Sequence, residues 1–373
     1  MWNLFLHLSD GYLLGMGLWL LLLTAMPVYL VRKRRQWKES RSRIRVLYLG
    51  LSLWMCLVPL TLLEVGFALL YDTTDSFDMT NVSHRWFEVH VAPDVKQLVF
   101  SADDGQAYRS DTEFPLQPED DRQHVVFFGD SFTFGHGVPD LSNRFTEQLS
   151  SQLQTSDDDA PARISNLSWP GTDLRWTEAM LQRVFAADGR VDRAVYVLCL
   201  NDIESFHDPR MQRSTELSTF EPPTFLFRDT YFFNWLYFRV QLLSRSDVRN
   251  YYDFVSDYYT GEPWRPFETA LIRTQLMCQA NDSELAVVIF PFMHVLGNDY
   301  PFRPVHQQLV RACEANGIPV IDLESDLSQH AAEGLTVNRF DAHPNERAHQ
   351  LAAEAIRREW FGNAASLARQ KGE

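Results

Sequence analysis

Two uninterrupted apolar runs open the chain, and an alternation of short apolar and longer amphipathic stretches fills its second half. Gly11–Val31 has 21 residues and no charge; Val46–Tyr71 has 26 and a single charge, Glu64. A helix needs about 20 apolar residues to cross the hydrocarbon core of a bilayer. Each run therefore predicts a membrane-spanning helix, and residues 1–71 a two-helix hairpin. Pro59 predicts a bend in the second helix. Glu64 is expected near the membrane interface or paired within the hairpin, because an isolated intramembrane carboxylate is costly.

From about residue 121 the pattern changes. Short runs rich in β-branched and aromatic residues predict strands at Val125–Phe128, Arg163–Leu167, Ala194–Leu200, Leu285–Phe290 and Ile318–Leu323. Helix-length amphipathic stretches fall at Arg144–Gln154, Asp173–Ala187, Pro266–Ala280, Val305–Asn316 and Glu346–Trp360. Five strands alternating with helices predict an α/β fold, its parallel sheet covered on both faces. Residues 72–120 break this rhythm. With Asp72-Thr73-Thr74-Asp75 and Asp103-Asp104-Gly105 they read as a polar, irregular lead-in to a domain over 121–373.

Charge orients the hairpin. The segment Arg32–Arg45 holds eight basic residues and one acidic residue. Short Lys/Arg-rich loops stay in the cytoplasm. Both the N-terminus and everything after Tyr71 are then expected outside it, at the plasma (inner) membrane. Residues 1–10 contain no Lys or Arg, which fits a cleavable signal peptide poorly. The whole chain carries a formal charge of −15, and residues 1–71 alone are net positive, so the rest is strongly acidic. An acidic body argues against nucleic acid as a partner, since that binding rests on Lys/Arg neutralising phosphates.

Cys56 lies in the second apolar run, and Cys199 in a strand, where a buried thiol is expected. Cys278 and Cys313 are candidates for a disulfide in an exported domain, subject to a Cα separation the sequence does not give. No CxxC or Cys/His spacing points to a metal. Asn81-Val82-Ser83, Asn166-Leu167-Ser168 and Asn281-Asp282-Ser283 match glycosylation acceptors, a pattern that often arises by chance.

Sites in parallel α/β sheets lie beyond the carboxyl ends of the strands. After the first strand stands Gly129-Asp130-Ser131-Phe132-Thr133-Phe134-Gly135, a serine in a Gly-flanked strand-to-helix turn. After the second comes Asn166-Leu167-Ser168-Trp169-Pro170-Gly171, whose glycine lets backbone approach a ligand. After the third comes Cys199-Leu200-Asn201-Asp202, with an amide able to donate to an oxyanion. Ahead of the last helix stands Phe340-Asp341-Ala342-His343-Pro344-Asn345. Its histidine can take a serine proton, and its carboxylate can orient the imidazole. Asp130 is expected to stabilise its turn, His136 to be a loop histidine or else to line the site, His349 to lie on the surface of the last helix or pack there, and Asp202 to be structural or else to contact the site.

In order and spacing these blocks resemble the SGNH/GDSL hydrolase superfamily over about residues 121–361. The resemblance implies a flavodoxin-like three-layer sandwich and ester or acyl chemistry without a metal or other cofactor. It implies Ser131 as nucleophile, His343 as base and Asp341 as its partner, with Gly171, Asn201 and the Ser131 backbone N–H as oxyanion hole. The third block of that family usually begins with glycine, where this chain has Cys199. The last block commonly has two residues between Asp and His, where this chain has only Ala342.

The span between the third and fourth predicted strands is too long for a simple crossover. This insert, about 203–265, carries Phe225–Phe227, Tyr231–Phe238, Tyr251–Phe254, Tyr258-Tyr259 and Trp264, with a helix predicted at Asn234–Ser244. It reads as a packed cap, as a lid lining an acyl or sugar groove, or as a membrane-interface helix. The whole predicts a membrane-anchored extracytoplasmic serine esterase acting on ester, foremost O-acetyl, groups of cell-envelope or exported glycans. Lipid esters are a second substrate class beside the bilayer. An O-acyltransferase using the same site and an inactive polysaccharide-assembly protein are the alternatives.

Overall fold

A computed structural model describes residues 5–37, 40–101, 104–154, 161–207, 222–244 and 251–362. The chain divides into two compact units. The first comprises Met1–Thr73, Asp78–Val89 and Ser218–Arg245. The second comprises Thr74–Phe77, His90–Leu217 and Ser246–Glu373.

In the first unit, α1 (Asp10–Trp37) and α2 (Arg41–Leu69) form an antiparallel pair. Both are long and apolar enough to cross a membrane. Trp19 Nε1 donates to Thr61 Oγ1 at 2.9 Å, and Trp54 Nε1 donates to the Leu23 carbonyl at 2.7 Å. These bonds satisfy the indole donors between the helices. Pro27 and Pro59 both lie inside continuous helix. The same unit holds α3 (Asn81–His90) and two helices of the insert, α7 (Phe225–Arg228) and α8 (Phe232–Ser244). The buried carboxylate of Glu64 finds backbone partners here, outside the hairpin. It accepts from the backbone N–H groups of Tyr231 (2.7 Å) and Phe232 (2.9 Å), at the start of α8.

The second unit is the α/β domain. Its sheet comprises β3 (Gln123–Gly129), β4 (Ala162–Asn166), β5 (Arg193–Cys199), β6 (Glu284–Phe290) and β7 (Val320–Asp322). All neighbours are parallel, in the order β4-β3-β5-β6-β7. The central strands are buried on both faces, from Val125–Phe128, Ala194–Cys199 and Leu285–Phe290. This is why they read as unbroken apolar runs rather than alternating ones. The covering helices include α5 (Phe145–Gln154), α6 (Leu174–Ala186), α10 (Trp264–Ala280), α11 (Arg303–Ala315) and α13 (Glu346–Ile356). A π-helical turn, Arg357–Phe361, follows α13. This is the predicted five-stranded parallel α/β fold.

Two features depart from the sequence reading. The lead-in is not irregular: besides α3 it contains an antiparallel hairpin of β1 (Val95–Ser101) and β2 (Asp104–Arg109). Asp103, one of its acidic residues, lies outside the described residues. Cys278 and Cys313 are both buried and free, so the suggested disulfide does not form. The insert is also divided. Its early helices lie in the first unit, while α9 (Tyr251–Thr260) places Val255, Tyr258 and Tyr259 in the core of the α/β domain. Asn166 cannot accept a glycan: it is buried and donates to the Thr133 carbonyl and to Thr146 Oγ1.

Candidate active site

Strand β3 ends at Gly129, whose backbone runs too close to its neighbours for a side chain. A Cβ there would meet Thr133 Oγ1 at 2.3 Å and the Val197 carbonyl at 2.7 Å. Asp130 then caps the single helical turn α4 (Ser131–Phe134), its carboxylate accepting from Phe132 N at 2.9 Å. Ser131 is the first residue of that turn, at the carboxyl edge of the sheet.

The histidine arrives from much later in the chain. β8 (Thr336–Asn338) and β9 (Asp341–Pro344) form a small antiparallel pair ahead of α13. Alternate residues of a strand face the same side. A single intervening Ala342 therefore sets Asp341 and His343 on one face, which explains how the short D-x-H spacing serves. His343 Nε2 lies 2.7 Å from Ser131 Oγ, and His343 Nδ1 lies 2.6 Å from Asp341 Oδ1. The network assigns Nδ1–H as donor to the carboxylate and Nε2 as acceptor of the serine proton. Phe132 packs edge-on against the imidazole, with ring centroids 5.4 Å apart.

Electrostatics reinforce that assignment. Burial alone would raise the Asp341 carboxyl, but the charge and hydrogen bond of His343, with His136 and Thr74 behind, hold it below the ordinary carboxylate range. Burial alone would lower the His343 imidazole; Asp341, then Asp130 and Asp75, outweigh it and raise the pKa. Asp130 is fully buried, and desolvation pushes it up to about 6.

The two remaining predicted residues stand on the loops flanking β3. Gly171 follows β4 with φ of +74°, in the left-handed region that favours glycine. Its loop is tied to the end of β3: Trp169 N and Thr172 Oγ1 both donate to the Gly129 carbonyl, at 3.1 and 2.8 Å. Asn201, half-buried, lies in the 3-10 turn Leu200–Phe206 after β5. Asp202 beside it is structural: it accepts from Tyr196 Oη at 2.5 Å and from Cys199 N at 3.3 Å. Burial, then Asp130 and Asp202, push the Cys199 thiol far up, so this glycine replacement adds no second nucleophile.

The sequence reading missed Thr74 and left His136 between a loop and the lining of the site. Thr74 Oγ1 donates to Asp341 Oδ2, the carboxylate oxygen turned away from His343. Asn338 Nδ2 holds the Thr74 carbonyl at 3.1 Å, and Ser76 Oγ accepts from Ala342 N at 2.8 Å. The stretch around Thr74 thus packs along the back of β9; no periodicity marks a lone threonine for that task. His136 is not a free loop histidine. Its Nε2 lies 3.6 Å from Asp341 Oδ2 and 3.3 Å from the Asp75 carbonyl, and its ring centroid lies 4.4 Å from that of His343. His136, Asp341 and His343 offer donor atoms within 4.8 Å of one another, enough to hold a cation. An ion there would compete for atoms that bond Ser131 and His343. His349, by contrast, is buried and stacked on Phe145, as packing predicts.

A sequence profile of the GDSL-like Lipase/Acylhydrolase family matches residues 127–351. No curated protein sequence matches the chain. Among solved structures, a lipolytic protein of the G-D-S-L family from Veillonella parvula is similar at 16% identity, covering 64% of this chain and 98% of its own, with a TM-score of 0.39. Axe2, an acetylxylan esterase from Geobacillus stearothermophilus, is 16% identical over 64% of this chain and 93% of its own, with a TM-score of 0.40. LAE5, an α/β hydrolase from the Lake Arreo metagenome, is 17% identical over 63% and 93%, with a TM-score of 0.39.

Proposed function

The chain belongs to the GDSL-like lipase/acylhydrolase family and is a serine ester hydrolase, and from that premise we propose which residues do the work, on what, and where. Ser131 is the nucleophile, His343 the general base and Asp341 its orienting partner. The observation that carries this reading is the unbroken chain of contacts from Ser131 Oγ through His343 to Asp341, at 2.7 and 2.6 Å.

In the first half-reaction His343 Nε2 takes the Ser131 proton as Oγ bonds to the ester carbonyl carbon. The carbonyl π electrons move onto oxygen, where Gly171 N–H, Asn201 Nδ2 and Ser131 N–H donate to the anion. The tetrahedral centre collapses, the C–O bond to the alcohol breaks, and imidazolium returns its proton to that alcohol. Water then adds to the acyl-enzyme with His343 again as base, and the carboxylic acid leaves as Ser131 regains its proton.

The two long apolar helices anchor the enzyme in the plasma membrane, with the basic loop between them cytoplasmic and the catalytic domain outside. That location favours O-acetyl groups on cell-envelope or exported glycans as substrate. The full-length protein in detergent should label at Ser131 with a fluorophosphonate probe and release acetate from an acetylated polysaccharide. Ser131→Ala should do neither, with turnover lower by about 10⁴-fold or more. A wild type that labels but cleaves only long-chain esters would overturn the glycan assignment. A wild type that fails to label would overturn the assignment of Ser131.

A further inference from the structure

Resting on the membrane-anchor reading, we infer that helix α8 of the insert lies in the membrane interface, with lipid acyl chains against its outward face. Three observations within the first unit carry this.

The first is an exposed apolar stripe. Across α8 the residues turned inward are Asn234 and Phe238, 2% and 3% exposed, and Asn234 donates to the Phe227 carbonyl and accepts from Asn81 N. Turned outward are Leu236 (39% exposed), Val240 (54%) and Leu243 (76%). Their i, i+4, i+7 spacing makes one stripe along the helix. A water-facing helix places its polar residues on that side. An apolar outer face is the arrangement that hydrocarbon favours.

The second is how α8 begins. The first N–H groups of a helix lack partners within it, and leaving them bare beside lipid is costly. Here the Glu64 carboxylate accepts from Tyr231 N and Phe232 N. An acid inside an apolar span and an unpartnered helix start thus satisfy one another, favoured further by the helix dipole. The contact fixes the start of α8 at the level of Glu64, inside the last two turns of α2.

The third is continuity. Phe67 packs against Phe232 and Trp235 with ring centroids 5.1 and 5.3 Å apart. Exposed Leu62, Leu63 and Leu70 continue the same apolar surface along α2. Tyr71 and Trp235, 6.1 Å apart, are of the types that gather at the membrane–water boundary.

The test uses the full-length protein in phosphatidylcholine/phosphatidylglycerol nanodiscs. A Cys56→Ser background removes the one exposed thiol. Nitroxide labels are placed singly at Val240→Cys and Leu243→Cys, at Leu21→Cys on exposed α1, and at Leu276→Cys on an exposed position of α10. The ratio of oxygen to nickel-chelate accessibility is then read by electron paramagnetic resonance. Labels at 240 and 243 should lie several-fold above the value at 276 and below the bilayer-core value at 21, as an interfacial depth requires. Values at 240 and 243 equal to 276, with 21 still lipid-like, would overturn the α8 assignment and leave the anchor intact. An aqueous value at 21 would overturn the anchor reading and this inference with it.

Discussion

Thr74 donates a hydrogen bond from its hydroxyl to Asp341, a residue 267 positions away, on the carboxylate oxygen that does not face His343. With His343 N and Nδ1 on the other oxygen, the buried acid is held from both sides. Thr74 touches no reacting atom; it acts through the aspartate. Thr74→Val keeps the shape and removes one hydrogen bond to a charged group, worth about 1.5–3 kcal/mol. We expect kcat to fall roughly 10- to 100-fold, with KM held and Thr74→Ser close to wild type. Loss in Thr74→Ser with Thr74→Val near wild type would mean a packing role alone.

The pH profile has a definite sign. His343 must be neutral to accept the serine proton, and its pKa is raised above the ordinary imidazole value. The acid limb of kcat/KM should therefore have its midpoint above about 6.5. Asp130 contributes to the rise, so Asp130→Asn, which still caps Phe132 N, should move that midpoint to lower pH. A limb that stays in place would remove Asp130 from the electrostatics of the base.

Asn201→Ala removes one proposed oxyanion donor while leaving Asp202 in its bonds to Tyr196 and Cys199. Turnover should fall by about 10²–10³ at unchanged melting temperature. Single-turnover acylation by an activated ester is the direct measurement; near-normal rates would exclude Asn201 from the oxyanion hole.

Gly129→Ala places a methyl 2.3 Å from Thr133 Oγ1 and 2.7 Å from a main-chain carbonyl. The side chain of Thr133 can rotate, but the Val197 carbonyl belongs to the central sheet and cannot. Overpacking of this kind costs about 1–3 kcal/mol. Thermal and urea unfolding should show that loss together with reduced fluorophosphonate labelling at Ser131.

Much of this was legible in the sequence because its signals are local. Strands buried on both faces, such as Val125–Phe128, leave unbroken apolar runs, and helices such as Glu346–Ile356 leave a 3.6-residue period. Ser131, Asp341 and His343 sit in short blocks of recognisable order. What stayed hidden depends on partners far apart in the chain. Glu64 is answered by Tyr231 and Phe232, 167 and 168 residues later. Thr74 gains meaning only against Asp341. β1 and β2 were read as irregular because only scattered positions such as Leu98 and Tyr108 turn inward, too few to show an alternation.

The separation of 212 residues between Ser131 and His343 sets an order of events during synthesis. Ribosomes deliver the hairpin first and Ser131 next. The imidazole that meets it exists only once translation has passed residue 343. On the proposed assignment the serine stays an ordinary alcohol until then, so a nascent polypeptide cannot attack esters before its base is made.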